Sequence, residues 1–128
     1  LMCTPPSTGY NDRSYDIKGN IFPSSSALEL HDQGDATFIL GNVSTDSMED
    51  LSNHPTLRTL FLASVTDCLP GYQHLWSTPF IRVDPIAAYR ATGNIFTTTT
   101  TSVHHRATQA MVEAIFLHLT APLGEIEE

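Results

Sequence analysis

The phrase Gly-Asn-Ile-Phe occurs twice in this chain, as Gly19 to Phe22 and as Gly93 to Phe96. A tyrosine stands at the same offset ahead of each copy, Tyr15 and Tyr89, and each copy runs into hydroxyls. Ser24-Ser25-Ser26 follow the first, and Thr97 to Thr101 follow the second. A fainter echo, Gly41-Asn42-Val43-Ser44-Thr45, lies between them. The phrase constrains the fold because Gly-Asn favours a turn and the apolar pair after it favours extended chain. It therefore marks where strands begin. Pseudo-duplication and convergent turn chemistry both remain open, since the rest of the two halves do not match.

Punctuation and periodicity give the remaining elements. Tyr15 to Phe22 alternates Tyr15, Ile17, Gly19 and Ile21 on one face and reads as a strand ended by Pro23. Ala27 to His31 and Ala36 to Val43 flank the turn Asp32-Gln33-Gly34-Asp35, which predicts a hairpin. The unbroken Phe38-Ile39-Leu40 suits a strand covered on both faces. Ser44 to Ser47 offers N-caps for a short helix over 46–53. Pro55 opens a second helix capped by Asn53 or His54, with Leu57, Leu60, Phe61 and Ser64 at helical spacing. Val65 to Thr78 reads as a loop with a turn at Pro70-Gly71.

Phe80 to Val83 is expected as a short strand. Asp84 then caps a helix that starts at Pro85 and stops at Gly93. Asn94 to Thr101 is expected as a threonine-rich strand. From Ser102 as N-cap, Val103, Ala107, Ala110, Met111 and Ala114 form the apolar stripe of a final helix, narrow enough to lie close on a sheet. Together these predict a single α+β domain over 1–128, an antiparallel or mixed sheet with helices packed on one face. An extended arm over 1–14 and an acidic tail over 120–128 flank it. A small α/β fold is the alternative.

Composition narrows the partners. The chain has 128 residues, 14 acids against 6 bases, and a formal charge of −8. Nucleic acid and anionic membrane need clustered Lys/Arg, so neither is expected as a partner. No apolar run reaches the length of a membrane-spanning helix. The N-terminal Leu1 to Pro6 lacks the basic and apolar regions of a signal peptide, so a cytoplasmic location is expected. Cys3 and Cys68 form no C-x-x-C and are expected as free thiols. No histidine spacing builds a local zinc site and no cofactor fingerprint is present, so no metal or cofactor is expected.

The junction from Thr97 to Arg106 is the candidate site. A strand feeding a helix start brings free N–H groups to one place, and this first turn carries His104, His105 and Arg106 rather than acids. On a helical wheel His104 lies at the edge of the apolar stripe and His105 points away. His104 is therefore the expected acid–base residue. Thr97, Thr99, Thr101 and Ser102 would orient a ligand, and Arg106 would hold its anionic group. Tyr72, His74 and Trp76 would cover it from the neighbouring loop. The expected function is small-molecule binding, with cofactor-independent acid–base chemistry of isomerase, cyclase or lyase type on an anionic or carbonyl-bearing metabolite. The alternative is a non-enzymatic interaction or assembly domain, including a homo-oligomer, that uses an edge strand and the Tyr72–Trp76 loop.

Overall fold

The computed structural model describes residues 10, 12–100, 102 and 105–120. The first Gly-Asn-Ile-Phe copy sits at the middle of its sheet. β1 (Ser14–Tyr15) and β2 (Asn20–Phe22) form an antiparallel hairpin with Tyr15 opposite Ile21. The turn between them closes with the Gly19 amide on the Asp16 carbonyl at 3.1 Å, and Gly19 takes φ 85°. β3 (Gly41–Asn42), the faint echo, pairs antiparallel with the other side of β2, with Asn20 opposite Asn42. The order is thus β1-β2-β3. Five α-helices accompany it among the described residues: α1 (Ser25–Asp32), α2 (Met48–Ser52), α3 (Pro55–Ser64), α4 (Pro85–Thr92) and α5 (His105–Thr120). The fold is α+β.

Local caps account for the helix starts. The Ser24 side chain accepts from the Ala27 amide at the head of α1. Ser47 and Asp50 form a reciprocal capping box on α2. His54 Nδ1 accepts from the Thr56 amide ahead of Pro55 in α3. Asp84 Oδ1 accepts from the Ile86 and Ala87 amides in α4, which ends at Gly93 with φ 75°. The second phrase copy therefore begins as a helix stop, not a sheet strand. The copies share a left-handed glycine but not a strand, which favours convergent turn chemistry over duplication.

Successive side chains of β2 point opposite ways and enter two apolar clusters. Phe22 packs with Ala27, Leu30, Phe38, Leu60 and Ile86, drawing α1, α3 and α4 together. Ile21 packs with Leu40, Leu51 and Leu57. The second copy joins the first cluster through Ile95. A third cluster, Leu69, Tyr72, Ile81 and Val83, is formed by the loop between α3 and α4.

All five expected strands take other forms, beginning with Tyr15 to Phe22, which the turn over Asp16 to Gly19 splits into β1 and β2. Ala27 to His31 is helical because Ser24 supplies an N-cap and Ala27 and Leu30, three apart, face the core. The predicted hairpin is thereby replaced. Residues 36–39 form a turn closed by the Ile39 amide on the Ala36 carbonyl at 3.4 Å, after which the Leu40 amide donates to the Ile21 carbonyl at 2.8 Å, so of the strand expected over 36–43 only Gly41–Asn42 forms. Phe80 lies in a 3₁₀ turn (Thr78–Phe80), and Ile81 and Val83 are buried around exposed Arg82 without strand pairing. Residues 94–100 form no strand either. Their polar side chains bond locally: Asn94 Oδ1 accepts the Phe96 amide, and the Thr98 and Thr100 hydroxyls meet at 2.9 Å.

Of the expected arm, Tyr10 packs edge-on against Phe61, and Arg13 Nη1 donates to Met48 Sδ. The rest of the arm apart from Asp12 and Ser14 lies outside the described residues; of the tail expected over 120–128, Thr120 is the last residue of α5 and the remainder lies outside them. Cys3 also lies outside them, and Cys68 is an exposed free thiol. Among the described residues, no helix is long and apolar enough to cross a membrane.

Candidate functional site

Pro70-Gly71 reverses the chain after α3, and the next residue turns inward. Gly71 takes φ 87°. Tyr72 is fully buried, and its carbonyl accepts from the Thr78 hydroxyl and from the Leu75 amide. The segment winds on through successive turns, Thr78 amide to Leu75 carbonyl and Phe80 amide to Ser77 carbonyl, which bury Ser77 and Thr78. The threonine run crosses this wrap at its tightest point. A Cβ on Gly71 would fall on Thr99 Oγ1 and come within 3.0 Å of its Cγ2. The run then enters α5, with the Ser102 amide on the Thr98 carbonyl at 2.9 Å.

At the head of α5, His105 is buried and meets Tyr72 edge-to-face, with ring centroids 5.3 Å apart. Three buried polar atoms in this region have no hydrogen-bond partner: Tyr72 Oη, Ser77 Oγ and His105 Nδ1. Their residues are 0%, 0% and 7% exposed. Each such atom costs about 1–3 kcal/mol until a partner meets it. A phenol, a hydroxyl and an imidazole nitrogen are the kinds of group that would satisfy a small polar molecule able both to donate and to accept.

The expected site residues divide between this interior and the surface. Tyr72, Thr97 and Thr99 are buried or half-buried, and Thr99 lies against the tyrosine's turn. Ser102 is half-buried at the entry to α5. His74, Trp76 and Arg106 are exposed. His104 and Thr101 lie outside the described residues. The histidine brought into the interior is His105. Sequence reasoning turned it outward because it took the alanine stripe as the buried face. The face laid against the fold instead runs through His105, Val112 and Phe116. The spacing of these three, with an aromatic at the far end, is the signal that was available for this second stripe.

That choice leaves a second feature. Trp76 projects from the loop and packs edge-on against Phe116, which also meets Phe80, each at 5.2 Å between centroids. A groove of about 340 Å³ opens beside them, lined by Trp76, Glu113, Phe116, Leu117 and Thr120. Beyond it, Met111 is 58% exposed, Ile115 50%, and Leu117 and Leu119 72% each. Within α5 only His105 and Val112 are buried. Comparisons with protein-family models, with curated proteins and with solved structures find no match for the chain.

Proposed function

We propose that this chain is a protein-interaction domain whose docking face is α5 with the Trp76–Phe80 loop beside it. The observation that carries this reading is the contiguous apolar surface on α5, on a helix that buries only two of its own residues. Exposed apolar surface of this extent marks an interaction site. The partner is an apolar, weakly charged protein surface. Only Arg106 and Glu113 are charged in α5, so the face offers little to a highly charged ligand. An anionic lipid surface fits poorly, because interfacial helices line their polar side with Lys and Arg.

A photo-crosslinking residue at Ile115 tests the proposal, with exposed Gln33 as the control position. Discrete adducts at 115 that a Leu119→Glu change suppresses are expected. Equal labelling at both positions would overturn the reading.

A second reading is favoured by the orphaned atoms around Tyr72 and His105. It is the small-molecule site, with acid–base chemistry of isomerase, cyclase or lyase type on an anionic or carbonyl-bearing metabolite. His105 takes the place first given to His104, and Tyr72 supplies a hydroxyl beside it. A thermal-shift screen of small carboxylates and carbonyl compounds, repeated on His105→Gln and Tyr72→Phe, is the test. A compound that stabilises the parent but neither variant supports this reading, and a screen with no stabilising compound removes it.

A further inference from the structure

We propose that the uncovered face of α5 pairs antiparallel with α5 of a second copy of this chain, giving a two-fold dimer; this rests on the docking reading above. Along the helix, Ala107, Met111, Ala114 and His118 follow the four-three spacing of a helix-pairing seam, and all four are exposed. Thr108 and Ile115 border the seam on one side, Ala110 and Leu117 on the other. This stripe is separate from His105, Val112 and Phe116, so pairing leaves the contacts with the body in place.

The seam is self-complementary in one direction only. With two helices antiparallel about a point between residues 112 and 113, Met111 of one copy faces Ala114 of the other, and Ala107 faces His118. At the borders Thr108 faces Ile115 and Ala110 faces Leu117. Every large side chain meets a small one, as close packing of helices requires. A parallel pair stacks Met111 on Met111 and His118 on His118, and leaves a gap where Ala114 meets Ala114. The antiparallel arrangement also closes on itself, since each copy uses the same patch.

Charge and area agree with this occupant. The chain carries −8 overall, which opposes the approach of two copies through most surfaces. α5 holds one base, Arg106, and one acid, Glu113, and neither lies on the seam. With Met111, Ile115 and Leu117 half or more exposed, each copy offers at most roughly 500 Å² on this face, so the pair buries up to about 1,000 Å², in the range of weak, transient interfaces. The dimer is therefore expected to dissociate on dilution.

Sedimentation equilibrium of the purified chain from about 1 µM to about 500 µM is the experiment, a range that spans micromolar dissociation constants. The mean mass should rise from 14.1 kDa towards twice that value. Met111→Glu should weaken association at least about ten-fold, because an unpaired charge from each copy enters the seam. Adding Ala114→Lys in the same chain should restore it, since residue 111 of one copy then faces the new lysine of the other. Circular dichroism and thermal unfolding of each variant confirm the fold, both positions being exposed.

A constant 14.1 kDa for the parent chain overturns the dimer. Loss of association in Met111→Glu without recovery in the double variant overturns the antiparallel register. Crosslinks at Ile115 separate the two levels of the argument. Adducts of another mass with a monomeric chain refute the second copy and keep the docking face. Unselective labelling refutes the docking face itself.

Discussion

Replacing Gly71 by alanine tests whether the threonine run closes over the Tyr72 turn. Two costs are combined at this position. Gly71 sits at φ 87°, where an L side chain is disfavoured by about 1 kcal/mol. The added Cβ would also fall on Thr99 Oγ1, 3.0 Å from its Cγ2 and 3.2 Å from its Cβ. Thr99 is β-branched with few rotamers, so it cannot swing aside freely, and displacing it adds about 1–3 kcal/mol. Gly34 separates the two effects, because its φ is 99° but nothing lies within 4 Å of the built Cβ. Gly34→Ala should cost about 1 kcal/mol and Gly71→Ala about 2–4 kcal/mol. Near this chain length that corresponds to falls in Tm of about 4 °C and about 8–15 °C.

Thr99→Gly in the Gly71→Ala background removes the obstruction and leaves the backbone strain. The double variant should therefore recover the steric part, with a coupling of about 1–2 kcal/mol in a double-mutant cycle read by urea unfolding. If Gly71→Ala costs no more than Gly34→Ala, or if the two changes simply add, Thr99 does not lie on this turn and the account of the interior site fails.

Three further outcomes are expected. Tyr72→Phe keeps the buried ring against His105 and removes an unpartnered hydroxyl, so it should stabilise the ligand-free chain by about 1 kcal/mol; a loss of stability would show that the hydroxyl already has a partner. Asp84→Ala deletes the cap that accepts from Ile86 and Ala87 and should cost about 1 kcal/mol, with Asp84→Asn costing much less; equal losses would refute the capping role. Acid should unfold the chain partly through Asp35 and Asp46. The Thr37 hydroxyl and amide and the Tyr89 hydroxyl hold the Asp35 carboxyl below its ordinary 3.8, and the Asn42 amide and Thr45 hydroxyl do the same for Asp46. A depressed folded pKa stabilises above 3.8 and loses that contribution as pH falls through the folded value, so urea midpoints should drop below about pH 4. Asp35→Asn should make that drop shallower, and an unchanged slope would remove Asp35 from the account.

The parts of the fold legible in the sequence are those decided within a few residues. Ser47, Pro55, Asp84-Pro85 and Gly93 each mark a helix boundary through a bond to a nearby amide or a fixed dihedral. Elements that depend on distant partners were misread. Asn94 to Thr100 has strand composition but finds no neighbouring strand, and local hydroxyl bonds take over. Ala27 to His31 fits both periods, and the serine ahead of it decided for helix. Of the expected cluster, the threonine run does reach the turn ahead of Tyr72, because Thr99 lies against Gly71, a placement that depends on contact across the fold. The choice of histidine followed from which of two stripes on α5 found a surface to lie on.

The thin attachment of α5 bears on how order is distributed in the chain. A sixteen-residue helix on its own is marginal in water, because nucleation is costly and propagation adds little per residue. Body contacts concentrated at His105, Val112 and Phe116 contribute only part of what keeps it wound. Its amides should therefore exchange with solvent through opening events far cheaper than global unfolding, while those of α3, with Leu57, Leu60, Ala63 and Ser64 buried, follow the whole domain. Any occupant of the outer face then also tightens the helix that receives it. Binding and helix order are thermodynamically linked, so a partner at this face would protect the amides of α5 from exchange in proportion to its occupancy.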